Sequence, residues 1–123
     1  GINEVVITTG YLNDVLEKYV NELNLGMNIQ YVYNPIYRDT NAIYSIYCAR
    51  EYLDDDIILM HGDLVFTKDV LSRVILSDKS VMTVSSTIAL PEKDFKGVIK
   101  DGLIKKISVR RWNCISQILF FFI

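Results

Sequence analysis

Apolar and polar positions along this chain follow two different periods, and the switches between them mark out its elements. Val5-Val6-Ile7 is a short β-branched run closed by Thr8-Thr9-Gly10, the pattern of a buried strand and its exit loop. Leu16, Tyr19, Val20 and Leu23 then recur at helical spacing. Asn13 is placed to cap that helix through its side-chain oxygen, and Gly26 to stop it. Ile29–Tyr33 returns to strand character and ends at Asn34-Pro35, because proline cannot donate to a ladder and holds the residue before it extended. Ala42, Ile46, Ala49 and Leu53 share one face of a second helix, with Asn41 as its cap. The run Ile57-Ile58-Leu59-Met60 predicts a third buried strand, which leads into His61-Gly62-Asp63-Leu64-Val65-Phe66. Thr67 is placed to cap a third helix whose apolar stripe is Val70, Leu71, Val74 and Ile75. Val81–Ile88 is strand-like, and Val98-Ile99 and Leu103-Ile104 flank a hairpin with Asp101-Gly102 at its tip.

Strands alternating with helices predict an α/β fold: a Rossmann-like, mainly parallel sheet in three α/β/α layers, with a C-terminal β-hairpin. Right-handed crossovers bring the ends of the first three strands to one edge. Gly10, Asn34 and Asp63 are therefore expected to converge there, with Asp54–Asp56 at the opposite end. Ligands of open α/β sheets gather beyond the carboxyl ends of the strands. Asp63 at such a point suits holding a hard cation against a phosphate, and Gly62 allows the backbone to come close. The same aspartate also suits a plain turn toward the next helix.

At 123 residues the chain is about one domain. Its hydrophobic half and 23% charged residues make an ordinary globular balance. A net charge of −2 gives no electrostatic case for nucleic acid or an anionic membrane as partner. Cys48 and Cys114 stand apart, without metal-ligand or redox spacing, which fits a reducing cytoplasm rather than a secreted disulfide scaffold. Ile118–Ile123 is strongly apolar but far short of the roughly 18 residues a membrane span needs. The opening Gly1-Ile2-Asn3-Glu4 has no signal-peptide layout. With no initiator Met at the start and Leu119-Phe120-Phe121-Phe122-Ile123 at the close, both ends read as cut from something larger.

Three stretches taken together resemble a known group. They are Val6-Ile7-Thr8-Thr9-Gly10-Tyr11, then Asn34-Pro35-Ile36-Tyr37 with Thr40-Asn41 and Ser45, then His61-Gly62-Asp63-Leu64-Val65-Phe66. In that order they are similar to the sugar-phosphate nucleotidyltransferase superfamily. The Asn-x-x-Tyr-x-x-x-Asn-x-x-x-Ser pattern most resembles its phosphocholine cytidylyltransferase and phosphonate-associated branch. The resemblance runs from Gly1 to about Ile107. It implies a partial nucleotidyltransferase domain over residues 1–108, followed by a divergent tail over 109–123.

Such enzymes join an NTP to a phosphorylated alcohol or sugar. The acceptor phosphate attacks the α-phosphorus in line, and pyrophosphate leaves. Catalysis there is mostly positioning plus charge neutralisation by Mg²⁺ and basic side chains. The resemblance implies that Asp63 is the metal-binding aspartate and that Asn34 reads the nucleobase through its amide. Thr40 and Asn41 would open a helix whose N-terminus faces the nucleotide, with Ser45 one turn along. Gly10 would let the first loop approach the base, and Gly62 completes the nucleotide-binding set. Each also has a plainer use: Asn34 as a turn initiator before Pro35, Asn41 as a helix cap, Ser45 as a small packing residue. His61 has no partner of metal-ligand type and reads as structural.

The implied partners are an NTP, with CTP favoured, and a phosphorylated small-molecule acceptor. The family's Gly-rich phosphate loop, with its Arg and following Lys, has no counterpart in these 123 residues, nor does the strand before it. Ser108-Val109-Arg110-Arg111-Trp112 departs from the family pattern, and Lys100, Lys105 and Lys106 take no assigned role. The chain by itself is therefore expected to be inactive, with no catalytic residue assignable, and its exposed sheet edge is expected to favour self-association. One rival is a glycosyltransferase donor-binding domain of related architecture, which needs an Asp-x-Asp metal motif. Asp54-Asp55-Asp56 has those letters but precedes its strand, and no carboxylate stands two residues beyond Asp63. The other rival is a non-catalytic nucleotide-binding remnant.

Overall fold

The structure, a computed structural model, describes residues 2–85, 96–108, 116–118 and 121–122. It divides into two compact units, Gly1–Asp55 and Asp56–Ile123. Among the described residues the fold is mixed α/β, with one small parallel sheet, two antiparallel ones and three α-helices.

The first unit contains strand β1 (Glu4–Thr9), helix α1 (Asn13–Glu22), strand β2 (Asn28–Tyr33) and helix α2 (Ala42–Cys48), followed by a 3-10 turn at Arg50–Tyr52. β1 and β2 pair in parallel from Glu4 opposite Asn28 to Thr9 opposite Tyr33, the β-α-β unit that the sequence pattern predicts. The ladder runs one step past the strands: the Asn34 N–H donates to the Thr9 carbonyl at 2.9 Å. That bond carries Asn34 onto the end of the sheet before Pro35 stops it.

The ends of α1 differ from expectation. Asn13 is the first helical residue, and the cap position belongs to Leu12, at φ 53° and ψ 36°. The Asn13 amide instead donates to Asp14 Oδ1 at 2.9 Å. A left-handed leucine costs roughly 1–2 kcal/mol, so the tight turn leaving Gly10 sets this start rather than local preference. At the other end Asn24, at φ 45°, takes the left-handed residue expected of Gly26. Asn tolerates that conformation better than other side chains, and Gly26, at φ 68°, turns the chain toward β2 two residues later.

The apolar stripe of α1 has the right period but is not covered within its unit: Leu16, Tyr19 and Leu23 are exposed, and Val20 is half-buried. A two-stranded sheet is too narrow a platform to bury it. α2 starts as expected, with Asn41 Oδ1 accepting from the Ile43 N–H at 3.1 Å. It ends at Cys48, before Leu53, because the chain tightens into the 3-10 turn; Ala49 is buried at that junction.

The second unit holds β3 (Ile58–Leu59), α3 (Lys68–Ile75), β4 (Val84–Ser85), β5 (Lys96–Lys100), β6 (Leu103–Ser108), β7 (Ser116–Ile118) and β8 (Phe121–Phe122). β3 pairs antiparallel with β8, and a second antiparallel sheet runs β4-β7-β5-β6. This corrects the mainly parallel sheet: among the described residues parallel pairing is confined to β1 and β2. The apolar run at Ile58 is short, and it pairs with Phe121-Phe122 from the segment that reads as a divergent tail. Both stretches are rich in the residue types that suit strands. Residues 86–88 of the expected strand, most of the 109–123 tail, the expected boundary at 108–109 and Cys114 lie outside the described residues.

Val74 on α3 is the buried centre of this unit, packed by Ile58, Leu64, Phe66 and Val81. Thr67 occupies the cap position of α3, yet its side chain makes no capping bond; Ile75, expected in the stripe, is exposed. The hairpin is as read: Asp101 at φ 55° and Gly102 at φ 72° give the two positive angles of a tight two-residue turn. A register shift between Val98 and Ile99 leaves Lys105 as the extra residue on β6. No described helix is long and apolar enough to cross a membrane.

Candidate functional site

Asn34 organises the first unit. It is 1% exposed, and burying a primary amide that deeply is tolerable only if its polar atoms are partnered. All of them are. Nδ2 donates to Thr40 Oγ1 and to Ser45 Oγ, each at 3.1 Å, and Oδ1 accepts from the Ile36 N–H at 3.0 Å. Thr40 Oγ1 in turn donates to the Ile36 carbonyl at 2.8 Å, which also accepts from the Asp39 N–H at 3.0 Å. The segment from Asn34 to Thr40 is thereby a closed loop, pinned to α2 through Ser45. The expected turn role of Asn34 is present. A direct reading of a base by the same amide would need one of these bonds to open.

Gly10 serves this loop from the other side. A Cβ there would lie 2.8 Å from both Cβ and Cγ of Tyr37, closer than packing allows. Glycine at 10 is thus what lets Tyr37 sit against the end of β1. The Tyr11 and Tyr37 rings meet in a tilted contact, 6.4 Å between centroids and 52° between planes. Arg38 lies 5.7 Å over the Tyr37 ring, and its Nε donates to the Tyr37 hydroxyl at 3.2 Å. The same hydroxyl raises the Arg38 pKa above its ordinary value, and a guanidinium is charged at any working pH in either case. Thr9, one residue before Gly10, is 5% exposed, and its hydroxyl has no hydrogen-bond partner among the described residues.

Of the sequence-predicted set, then, Gly10, Asn34, Thr40 and Ser45 gather around one loop. Asn41 adjoins them, exposed, with its side chain used as the α2 cap. Gly62 and Asp63 belong to the second unit, in the exposed turn that follows β3. Nothing lies within 4 Å of where a Gly62 Cβ would be. Asp63 makes no hydrogen bond to another described residue, and the described residues contain no group of three or more metal-type ligands. A solvent-facing carboxylate of this kind suits Mg²⁺, which is typically held by one or two carboxylates with phosphates and water completing its shell. Asp54–Asp56 are exposed and precede β3, and His61 is exposed beside Gly62.

Sequence reasoning missed Lys96. It opens β5 and is 1% exposed, although a lysine at a strand end ordinarily faces water. The pairing of Tyr37 with Arg38 was also missed, although adjacent aromatic and guanidinium side chains were visible in the sequence.

Comparison with known proteins bears on this arrangement. Over 107 residues the chain is 34% identical to the CMP-5'-(3-aminopropyl)phosphonate synthase of Streptomyces rubellomurinus, covering 82% of this chain and 17% of that protein. Over 116 residues it is 28% identical to the CTP:phosphoglutamine cytidylyltransferase of Campylobacter jejuni, covering 88% of this chain and 45% of that one. The chain thus spans less than half the length of either relative. Residues 1–112 match the model of the family described as "Domain of unknown function (DUF6564)", and the chain belongs to that family.

Proposed function

We propose that this chain is the nucleotide-binding part of a cytidylyltransferase, which moves a cytidylyl group from CTP to a phosphorylated small-molecule acceptor with release of pyrophosphate. The observation that carries this reading is the likeness, over 82% and 88% of the chain, to two relatives whose names both describe cytidylyl chemistry. The Asn34–Thr40–Ser45 cluster supports it, because a rigid polar loop at the end of a β-α-β unit is the kind of frame on which ligand groups are held in place.

In this reading Gly10 brings the first loop close to the base, and Asn34 fixes the geometry of the loop that meets it. Thr40, Asn41 and Ser45 line the approach to the nucleotide, and Gly62 gives access to Asp63. Asp63 is the carboxylate that would hold Mg²⁺, which when bound neutralises phosphate charge. The setting is cytoplasmic. These 123 residues carry no Gly-rich loop of backbone donors, and one lost preorganised donor alone costs about 10²–10³ in rate. The chain by itself is accordingly a binding unit. Pyrophosphate release from CTP and phosphocholine at roughly 1–10³ s⁻¹ would overturn that part.

Isothermal titration with CTP, UTP, ATP and GTP in Mg²⁺ tests the main reading. CTP is expected to bind at least about tenfold more tightly than the others, a difference of about 1.4 kcal/mol. Equal affinity for all four would sink the assignment to cytidine. A glycosyltransferase reading requires a second carboxylate close to Asp63, and Asp54–Asp56 precede β3 whereas Asp63 follows it.

A further inference from the structure

Arg38 is exposed and makes one side-chain hydrogen bond among the described residues. Its Nε is held by the Tyr37 hydroxyl at 3.2 Å, which leaves the two terminal guanidinium nitrogens without a protein partner among the described residues. It is exposed, and no carboxylate lies in ion-pair range among those residues. The other described arginine with an aromatic contact, Arg50, behaves differently: its Nη1 donates to the Tyr47 carbonyl at 3.1 Å, and its guanidinium lies 4.5 Å over that ring. There the fork is turned back onto its own turn of chain. At Arg38 the fork meets no other described residue.

The support beneath Arg38 is unusually firm for a loop. Residues 34–40 are closed by the Asn34 and Thr40 bonds, and Tyr37 is seated against Gly10 where a Cβ would collide. A long side chain whose base and Nε are both fixed loses less freedom on meeting a ligand. A planar guanidinium presenting two parallel donors matches one chemistry above others: the two oxygens of a tetrahedral or carboxylate oxyanion.

We propose that Arg38, oriented by Tyr37, is an oxyanion-binding residue that takes a phosphate or phosphonate group. This rests on the cytidylyltransferase reading only for the source of that group, which is either the nucleotide or its acceptor. The role of Tyr37 is positioning: it acts through Arg38.

The test uses the full chain with Mg²⁺ and three probes: CTP, cytidine and phosphocholine. Binding is followed by titration calorimetry or by ligand NMR for Arg38→Ala, Arg38→Lys and Tyr37→Phe. A charged hydrogen-bonded pair predicts that Arg38→Ala weakens a phosphate-bearing probe by about tenfold or more and leaves cytidine unchanged. Arg38→Lys keeps the charge but not the fork and falls between. Tyr37→Phe keeps the ring and lowers affinity a few-fold, an effect that disappears when Arg38 is already alanine. Loss confined to CTP assigns the site to the nucleotide's phosphates; loss confined to phosphocholine assigns it to the acceptor. If phosphocholine binding depends on Arg38 while CTP does not bind at all, the oxyanion site stands and the cytidylyl reading falls. Arg38→Ala binding every probe like the wild type, or wild type binding neither phosphate-bearing probe, overturns the proposal.

Discussion

Asn34 and Asp63 each follow a β-strand, and each looks in sequence like a polar residue placed to meet a ligand, yet the fold treats them in opposite ways. Asn34 is 1% exposed and spends both amide hydrogens and its oxygen on Thr40, Ser45 and Ile36. Asp63 is exposed in a turn and makes no hydrogen bond to the described residues around it. The first is built into the structure whether or not a ligand is present. The second contributes nothing to the fold that packing or hydrogen bonding can account for. A residue whose groups are all satisfied internally shapes a site; one whose charge is left to solvent can act in it.

Removing each residue should separate those roles. Asn34→Ala removes the three hydrogen bonds of a buried amide, to Thr40, Ser45 and the Ile36 N–H, and should lower unfolding free energy by about 2–4 kcal/mol, read by urea titration. Gly10→Ala drives a Cβ against Cβ and Cγ of Tyr37, atoms too close to the backbone to swing away. It should cost about 1–3 kcal/mol, and the tyrosine near-ultraviolet dichroism should change with it. Thr9→Val removes a buried hydroxyl that has no described partner, so it should be neutral or raise stability by up to about 1 kcal/mol. A clear loss on Thr9→Val would mean that the hydroxyl is satisfied after all. Asp63→Asn should leave stability within about 0.5 kcal/mol of wild type. A stability loss at Asp63 comparable to that at Asn34 would erase the contrast.

Much of the first unit could be read from its residues. The β-branched run, the helical spacing and Asn34-Pro35 fixed the order β1-α1-β2, since each signal is local. The Asn41 cap and the Asp101-Gly102 turn were legible for the same reason: capping and positive φ are properties of one or two residues. Helix ends were not, because Leu12 takes its left-handed cap from the turn after Gly10 and not from any preference of leucine. The partner of β3 was hidden too. Ile58-Leu59 announces a strand but does not say which distant strand it meets, and Phe121-Phe122 carried no sign of its pairing beyond its apolar character. For the site, Asn34, Thr40 and Ser45 were visible as residues, and the family resemblance implied a base-reading amide while Asn34-Pro35 itself suggested a turn. Only the closed loop reveals that the amide's bonds point inward.

The proposed role of Asp63 is to act on a nucleotide through a cation, within a domain that prefers cytidine. Calorimetric titration of CTP into wild type and Asp63→Asn, each with and without Mg²⁺, tests it most directly. The expected result is that Mg²⁺ strengthens CTP binding to the wild type and that Asp63→Asn abolishes this gain with its urea midpoint unchanged. Equal Mg²⁺-dependent affinity in the two proteins would contradict the claim.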